Sequence, residues 1–247
     1  MTAPRSIVLI HGAWHAAWSW AALQHELDRR GLASFAIDLP GRGTSTLEPS
    51  GLIGDGLHVE AVLRRLGSDV VLVGHSYGGA VLSEVAGRSP ALAHAVYIGA
   101  FALACGESVN GFLRSAPRHR AGIADHMQPQ DDGSIALNLA TVGSIYDGVP
   151  VLERAAHVAR LTPQPPDTFT DQVTGDPFGR VPTTYVLLER DDAVHPVHQE
   201  IFAQRCDHVV RLDTGHFPMI HSPALIAEIL EPIARADDTV SERWRQG

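Results

Sequence analysis

Ser76 stands between Gly74 and Gly78 as G-x-S-x-G, and Asp191, Asp192 and His216 follow it in the order Ser, Asp, His. These residue types divide one piece of chemistry among them. A serine hydroxyl is a weak nucleophile near neutral pH and needs a base within hydrogen-bond reach. The base needs an acid to fix its tautomer and steady its charge. His216 fits the base, and either aspartate fits the acid. Attack on a carbonyl also leaves an oxyanion, which needs two preorganised donors. The N–H of Tyr77, the residue after the serine, is one candidate. The other is the N–H of Ala13, where Gly12-Ala13 brings backbone close after the first predicted strand. Three fixed residues recur by chance roughly one time in ten in a chain of this size. The surrounding elements therefore decide whether the motif means chemistry.

Those elements suit it. Val70-Val71-Leu72-Val73 is a β-branched and apolar run, the pattern of a strand buried on both faces. It stops at Gly74, and a helical stretch begins at Tyr77. Side chains at Gly74 and Gly78 would crowd so tight a turn, which lifts the serine above the sheet edge. Strands are also expected at Ser6–Ile10, Ser34–Ile37, Ala95–Ile98, Thr183–Leu188 and Val209–Leu212. Helical spacing joins Trp20, Leu23 and Leu27, closed by Gly31, and Val59, Val62, Leu63 and Leu66, closed by Gly67. Alternating strands and helices predict an α/β fold with a mostly parallel, doubly wound sheet. In such sheets ligands gather at the strand C-termini, where Ser76, both aspartates and His216 all fall. The closing helix is expected to use Ser222 as N-cap and Pro223 at its first position, with Leu225, Ile226, Ile229, Leu230 and Ile233 facing the sheet.

The alternation breaks after Ala100. From Gly106 to Arg180 no convincing strand appears, and the stretch holds seven of the sixteen prolines. A structureless loop of that length is improbable in a compact domain. Residues 106–180 are therefore expected to form an inserted helical cap, with helices near Ile135–Tyr146 and from Val151 to Val158. Residues 1–105 and 181–247 are expected to form the core of a single catalytic domain. Phe112, Tyr146, Phe169 and Phe178 in the cap suit either an apolar pocket or plain packing.

With 247 residues, 45% apolar, the chain has the composition of a soluble globular protein. A net charge of −9 argues against nucleic acid as partner. The two cysteines, Cys105 and Cys206, sit far apart and outside any C-x-x-C, as in a reducing compartment. No stretch approaches 18 apolar residues and no signal segment is visible, so a cytoplasmic protein with no membrane partner is expected. A homodimer stays open. The 14 histidines include His195-x-x-His198 and His216 with His221, but neither is H-E-x-x-H and no carboxylate cluster accompanies them. No metal and no cofactor is expected. The first strand turn also lacks the glycine pattern of a dinucleotide site.

The runs His11-Gly12-Ala13-Trp14-His15-Ala16-Ala17-Trp18-Ser19-Trp20, Asp38-Leu39-Pro40-Gly41-Arg42-Gly43, Gly74-His75-Ser76-Tyr77-Gly78-Gly79 and Gly215-His216 give the sequence a clear resemblance. It resembles the α/β-hydrolases, and within them the plant methylesterases, hydroxynitrile lyases and their bacterial relatives. The likeness spans residues 6–101 and 182–234, and matches the cap to no single family. It implies an α/β-hydrolase fold and a carboxylesterase-type serine hydrolase acting on a small-molecule ester. Relatives often read Glu-Asp-x-Ala-Ile-Pro-Pro at the acid. Here Arg190-Asp191-Asp192-Ala193-Val194-His195-Pro196 puts Asp191 in the acid's place, with His195 where the first proline stands. A rival pattern, Asp four residues before a proline, selects Asp192; the resemblance favours Asp191. The lyases of the group carry lysine after the catalytic histidine and typically glutamate before the serine. Phe217 and His75 occupy those positions, which favours ester hydrolysis over cyanohydrin cleavage unless Arg114, Arg118 or Arg120 supplies a cation. The alternatives are a hydroxynitrile lyase or other carbon–carbon cleaving enzyme on the same triad, and a non-catalytic small-molecule binder on the same fold.

Overall fold

The computed structural model describes residues 3–117, 119 and 122–237. Six strands form one parallel sheet: β1 (Ser6–Ile10), β2 (Ser34–Ile37), β3 (Val70–His75), β4 (Leu92–Ile98), β7 (Thr183–Leu188) and β8 (His208–Leu212). Their order across the sheet is β2-β1-β3-β4-β7-β8. Every residue of β3 and of β7 is buried, as their unbroken apolar runs require of strands covered on both faces. The register sets Ile10 beside Gly74 and His75 beside Ile98. It sets Leu188 beside Leu212.

This order contains a switch point. From β1 the chain crosses to β2 on one side, and from β3 it crosses to β4 on the other. The loops leaving β1 and β3 therefore part above the sheet and leave a crevice at their C-termini. Ala13 follows β1 and Ser76 follows β3, so the switch point lies between the two.

Helices α1 (Ala21–Arg29), α2 (Leu52–Leu66) and α3 (Tyr77–Ala86) agree with the apolar spacing. Gly31 and Gly67 end α1 and α2 in left-handed conformations, φ +70° and +95°. The single turn α8 (Pro218–His221) leads into the closing helix α9 (Pro223–Ala234), which packs on α1. Two details there differ from expectation. Ser222 holds the N-cap position as expected but makes no side-chain cap bond, its hydroxyl pairing instead with His221 Nδ1 at 2.8 Å. Leu225 is 39% exposed and does not face the sheet.

The inserted stretch departs further. It contains α4 (Val109–Ser115), α5 (Val151–Val158), the single turn α6 (Asp167–Thr170), and a hairpin of β5 (Met127–Pro129) with β6 (Ile135–Leu137). Ile135–Tyr146 is thus not a helix: it opens as β6 and reaches a 3₁₀ turn at Val142–Ile145. The physical reason lies in the turn before it. Gly133 adopts φ +82°, and Asp132 accepts from the Ser134 N–H at 2.8 Å, so the chain reverses at Asp132-Gly133. The strands flanking this turn are only three residues long, too short to show a period of two.

Candidate active site

The turn at Ser76 is built by sterics on both sides. Ser76 has φ +53°, a conformation that side chains rarely adopt. It is held there by Ser76 N–H to Ile98 O at 3.3 Å, and by Gly79 and Phe101 N–H groups donating to Ser76 O at 3.0 and 3.1 Å. A Cβ on Gly74 would lie 2.5 Å from Gly78 O, and one on Gly78 would lie 2.5 Å from Ile10 O. Larger residues at either glycine would push α3 off the strand ends. Local strain of this kind persists only where its surroundings over-determine it.

His216 and Asp191 meet across the ends of β8 and β7. His216 Nδ1 lies 2.7 Å from Asp191 Oδ2, with both side chains buried. The carboxylate is saturated: Oδ1 accepts from the N–H groups of Ala193 and Val194 at 2.7 and 2.9 Å. Oδ2 also accepts from Gln199 Nε2 at 2.9 Å. A carboxylate so held is acceptor-only, which assigns the proton on Nδ1 to His216 and leaves Nε2 as the basic nitrogen. Asp192 is exposed and points elsewhere in role; its backbone carbonyl receives the Gly122 N–H.

Three buried histidines brace the loops around this pair. His75 donates from Nε2 to the His216 carbonyl at 2.8 Å. His15 donates from Nδ1 to the Ala13 carbonyl at 2.8 Å, and its Nε2 accepts from Tyr146 Oη at 2.7 Å. His11 donates from Nδ1 to the Gly12 carbonyl at 2.8 Å and accepts the Leu39 N–H at 3.2 Å. Burial holds all three neutral. It pushes His11 down to about 4 and His15 to about 3. His75 also falls well below the usual range, chiefly through burial and then through the nearby His216. They serve as fixed struts for the backbone that carries Ala13 and His216.

A second buried set ties the loop region to the insert. Asp55 on α2 accepts from Arg42 Nη1 at 2.9 Å, from Ser50 Oγ at 2.9 Å and from Tyr77 Oη at 2.7 Å. Arg42 Nη2 in turn donates to Gln164 Oε1 at 2.9 Å. Burial raises Asp55 to about 6 against the opposing pull of Arg42. Trp14, at φ +62°, gives its indole N–H to Ile135 O at 2.7 Å, and its carbonyl accepts from Thr162 N–H at 3.0 Å. Ile135 and Gln164 form a backbone bridge with each other. Trp14, beside one expected oxyanion donor, and Tyr77, the other, are thus both tied to one bridge in the insert.

Ala13, Ser76 and Tyr77 line one cavity of about 130 Å³, together with Trp14, Phe101, Met127, Phe169, Val194 and others. Among the described residues no protein acceptor takes the N–H of Ala13 or of Tyr77. Of the four cap aromatics only Phe169 lines this cavity. Phe112 packs on Phe202 with centroids 4.3 Å apart, Tyr146 stacks on Phe217 at 4.5 Å, and Phe178 lies against Tyr97 at 6.5 Å. Phe217 is buried between Tyr146, His15 and His216 rather than lining that cavity. Arg118 and Arg120 lie outside the described residues; Arg114 sits in the last turn of α4. His195 caps α7 (Pro196–Ala203) by accepting the Val197 N–H at 3.2 Å.

Sequence reading gave no role to Gln199, Asp55 or Gln164. Gln199 has one signal, a polar residue eight positions after Asp191 on the buried face of α7, beside His198, Phe202 and Ala203. It also bonds Leu188 N–H at 2.9 Å and Val194 O at 2.7 Å, and so clamps the whole acid loop.

Residues 7–229 match the alpha/beta hydrolase family, and the chain belongs to that family. It is similar to the alpha/beta hydrolase nvfD of Aspergillus novofumigatus, 26% identical over 93% of this chain and 96% of that protein. It is equally similar to methylesterase 2 of Arabidopsis thaliana, 26% identical over 92% and 95%. The solved pyrethroid hydrolase of Sphingobium faniae has the same fold, with a TM-score of 0.78 at 24% identity, covering 94% of this chain and 98% of that one.

Proposed function

We propose that this hydrolase cleaves a carboxylic ester of a small, largely apolar substrate through an acyl-enzyme on Ser76. The observation that carries the reading is the buried 2.7 Å His216–Asp191 pair at the same sheet end as the strained Ser76, which opens on an apolar cavity. In the first half-reaction Ser76 Oγ bonds to the carbonyl carbon while its proton passes to His216 Nε2. Asp191 keeps the Nδ1 proton in place and stabilises the imidazolium. The carbonyl oxygen becomes an oxyanion, and the free N–H groups of Ala13 and Tyr77 supply its donors. Collapse breaks the ester C–O bond, and the alcohol leaves with the proton from His216. Water then repeats the sequence on the acyl-enzyme and releases the acid. The similarity to methylesterases supports an ester as substrate.

The test is a comparison of purified protein on short aryl and methyl esters and on mandelonitrile, with a fluorophosphonate probe for Ser76. Ester turnover, with labelling abolished in Ser76→Ala, is expected. Ser76-dependent cyanide release with negligible ester turnover replaces the reading with a lyase. Absence of turnover on both replaces it with a binder.

A further inference from the structure

The cavity beside Ser76 is apolar except at a few atoms, and most of those are already committed. Tyr77 gives its hydroxyl to Asp55 at 2.7 Å, and Trp14 gives its indole N–H to Ile135 O at 2.7 Å. Besides Ser76, the polar side chains left on the lining are Asn110 and His198. His198, on α7, is only 3% exposed. Its Nε2 lies 2.8 Å from the Pro117 carbonyl, which can only accept, so the ring proton sits on Nε2. That leaves Nδ1 as the nitrogen able to accept, and among the described residues no donor reaches it. The Asn110 side-chain amide, on α4, has no partner among the described residues either. In a lining that is otherwise apolar, a ligand that brings a donor gives the His198 nitrogen the partner that the described residues do not.

The size of the space limits the ligand. An apolar cavity of roughly 150 Å³ holds a benzene ring. At about 130 Å³ this one holds a group near the size of a single six-membered ring.

We propose that the cavity binds a single-ring-sized group carrying one hydrogen-bond donor, a hydroxyl or an amine, which His198 Nδ1 accepts and Asn110 completes. The proposal rests on the esterase reading in one respect: the group is taken as one half of the ester. His198 is then a specificity-determining residue. It rewards a substituent that donates and penalises an isostere that does not, because the isostere leaves Nδ1 unpaired.

The experiment measures kcat/KM on two ester series, 4-substituted phenyl acetates and 4-substituted methyl benzoates, with fluoro, hydroxy and amino substituents. Two series are used because either half of the ester can occupy the cavity. Each series is run on the wild type and on His198→Phe. Substituent electronics act equally on both proteins, so the ratio of ratios isolates the contact with His198. In one series the hydroxy and amino esters are expected to gain about tenfold over the fluoro ester in the wild type relative to the variant. A hydroxy-only gain narrows the donor to an alcohol or phenol. Ratios near one in both series overturn the proposal. Calorimetric binding of phenol, aniline and fluorobenzene to the wild type serves where His198→Phe does not fold or no ester is turned over. Phenol or aniline binding about tenfold tighter than fluorobenzene supports the proposal, and equal binding overturns it. Absence of turnover on all esters, with the binding preference intact, removes the esterase reading alone.

Discussion

Asp191 and Asp192 are neighbours of the same type, yet the fold gives them opposite surroundings. Asp191 is buried and accepts four hydrogen bonds, one of them from His216, while Asp192 is exposed. Asp191→Asn is expected to lower kcat by about 10³–10⁴-fold, since an amide nitrogen facing His216 favours the wrong tautomer. Asp192→Asn is expected to stay within about twofold, as exposed substitutions do. Steady-state kinetics on one ester checks both, and the reverse ranking moves the acid by one residue. Ser76→Ala is expected to cost about 10³–10⁶-fold in kcat. Its thermal stability should not fall, because alanine keeps the backbone contacts and loses only the hydroxyl. A cleanly folded Ser76→Ala protein that retains turnover ends the nucleophile assignment.

At the scale of elements, the insert is tied by hydrogen bonds to the loops after β1 and β3. The Ile135–Gln164 bridge holds Trp14 directly and reaches Tyr77 through Arg42 and Asp55. Removing one partner of that buried set leaves a charge or donor with no water to replace it. Asp55→Ala, which strands the Arg42 guanidinium, is expected to lower stability by about 3–5 kcal/mol. Gln164→Leu, which leaves Arg42 Nη2 with only Thr168 Oγ1 at 3.4 Å, is expected to cost about 1–3 kcal/mol. Denaturant titration of the two variants measures both. A change below about 0.5 kcal/mol in each would show that water enters the cluster freely. The exposed pair Arg190–Asp147, 3.3 Å apart, offers the contrast: breaking it should cost less than about 1 kcal/mol.

For the molecule as a whole, the many buried histidines set the response to acid. The folded state holds His11 at about 4, His15 at about 3 and His94 at about 4, mainly through burial, against 6.5 for a free imidazole. His75 is lowered as well. Each binds a proton in the unfolded chain before it does so in the folded one. The unfolded state therefore holds more protons between about pH 6.5 and 4, and stability rises with pH across that window. Asp55, raised to about 6, acts in the opposite sense between its unfolded value of 3.8 and 6. One carboxyl set against four imidazoles leaves the net sign unchanged. The melting temperature should fall steadily as the pH is lowered from 7 to 4.5. A flat or rising profile over that range would contradict the burial of these rings as uncharged groups.

The sequence by itself determined the strand and helix order of the hydrolase core, because buried strands and amphipathic helices leave periods that survive without a partner. It placed Ser76 on the turn after β3, since only glycine fits beside it at positions 74 and 78. It also set Asp191 and His216 after the last two strands. What it left open was decided by contacts between distant segments. What sets Asp191 apart from Asp192 in its surroundings is the pair of local Ala193 and Val194 amides together with Gln199, which the packing of α7 brings to the carboxylate. The hairpin in the insert was hidden because three-residue strands carry no readable period. The roles of Arg42 and Asp55 were hidden because each residue type usually faces water. Only burial, with Gln164 arriving from more than a hundred residues downstream in sequence, turns their charges inward.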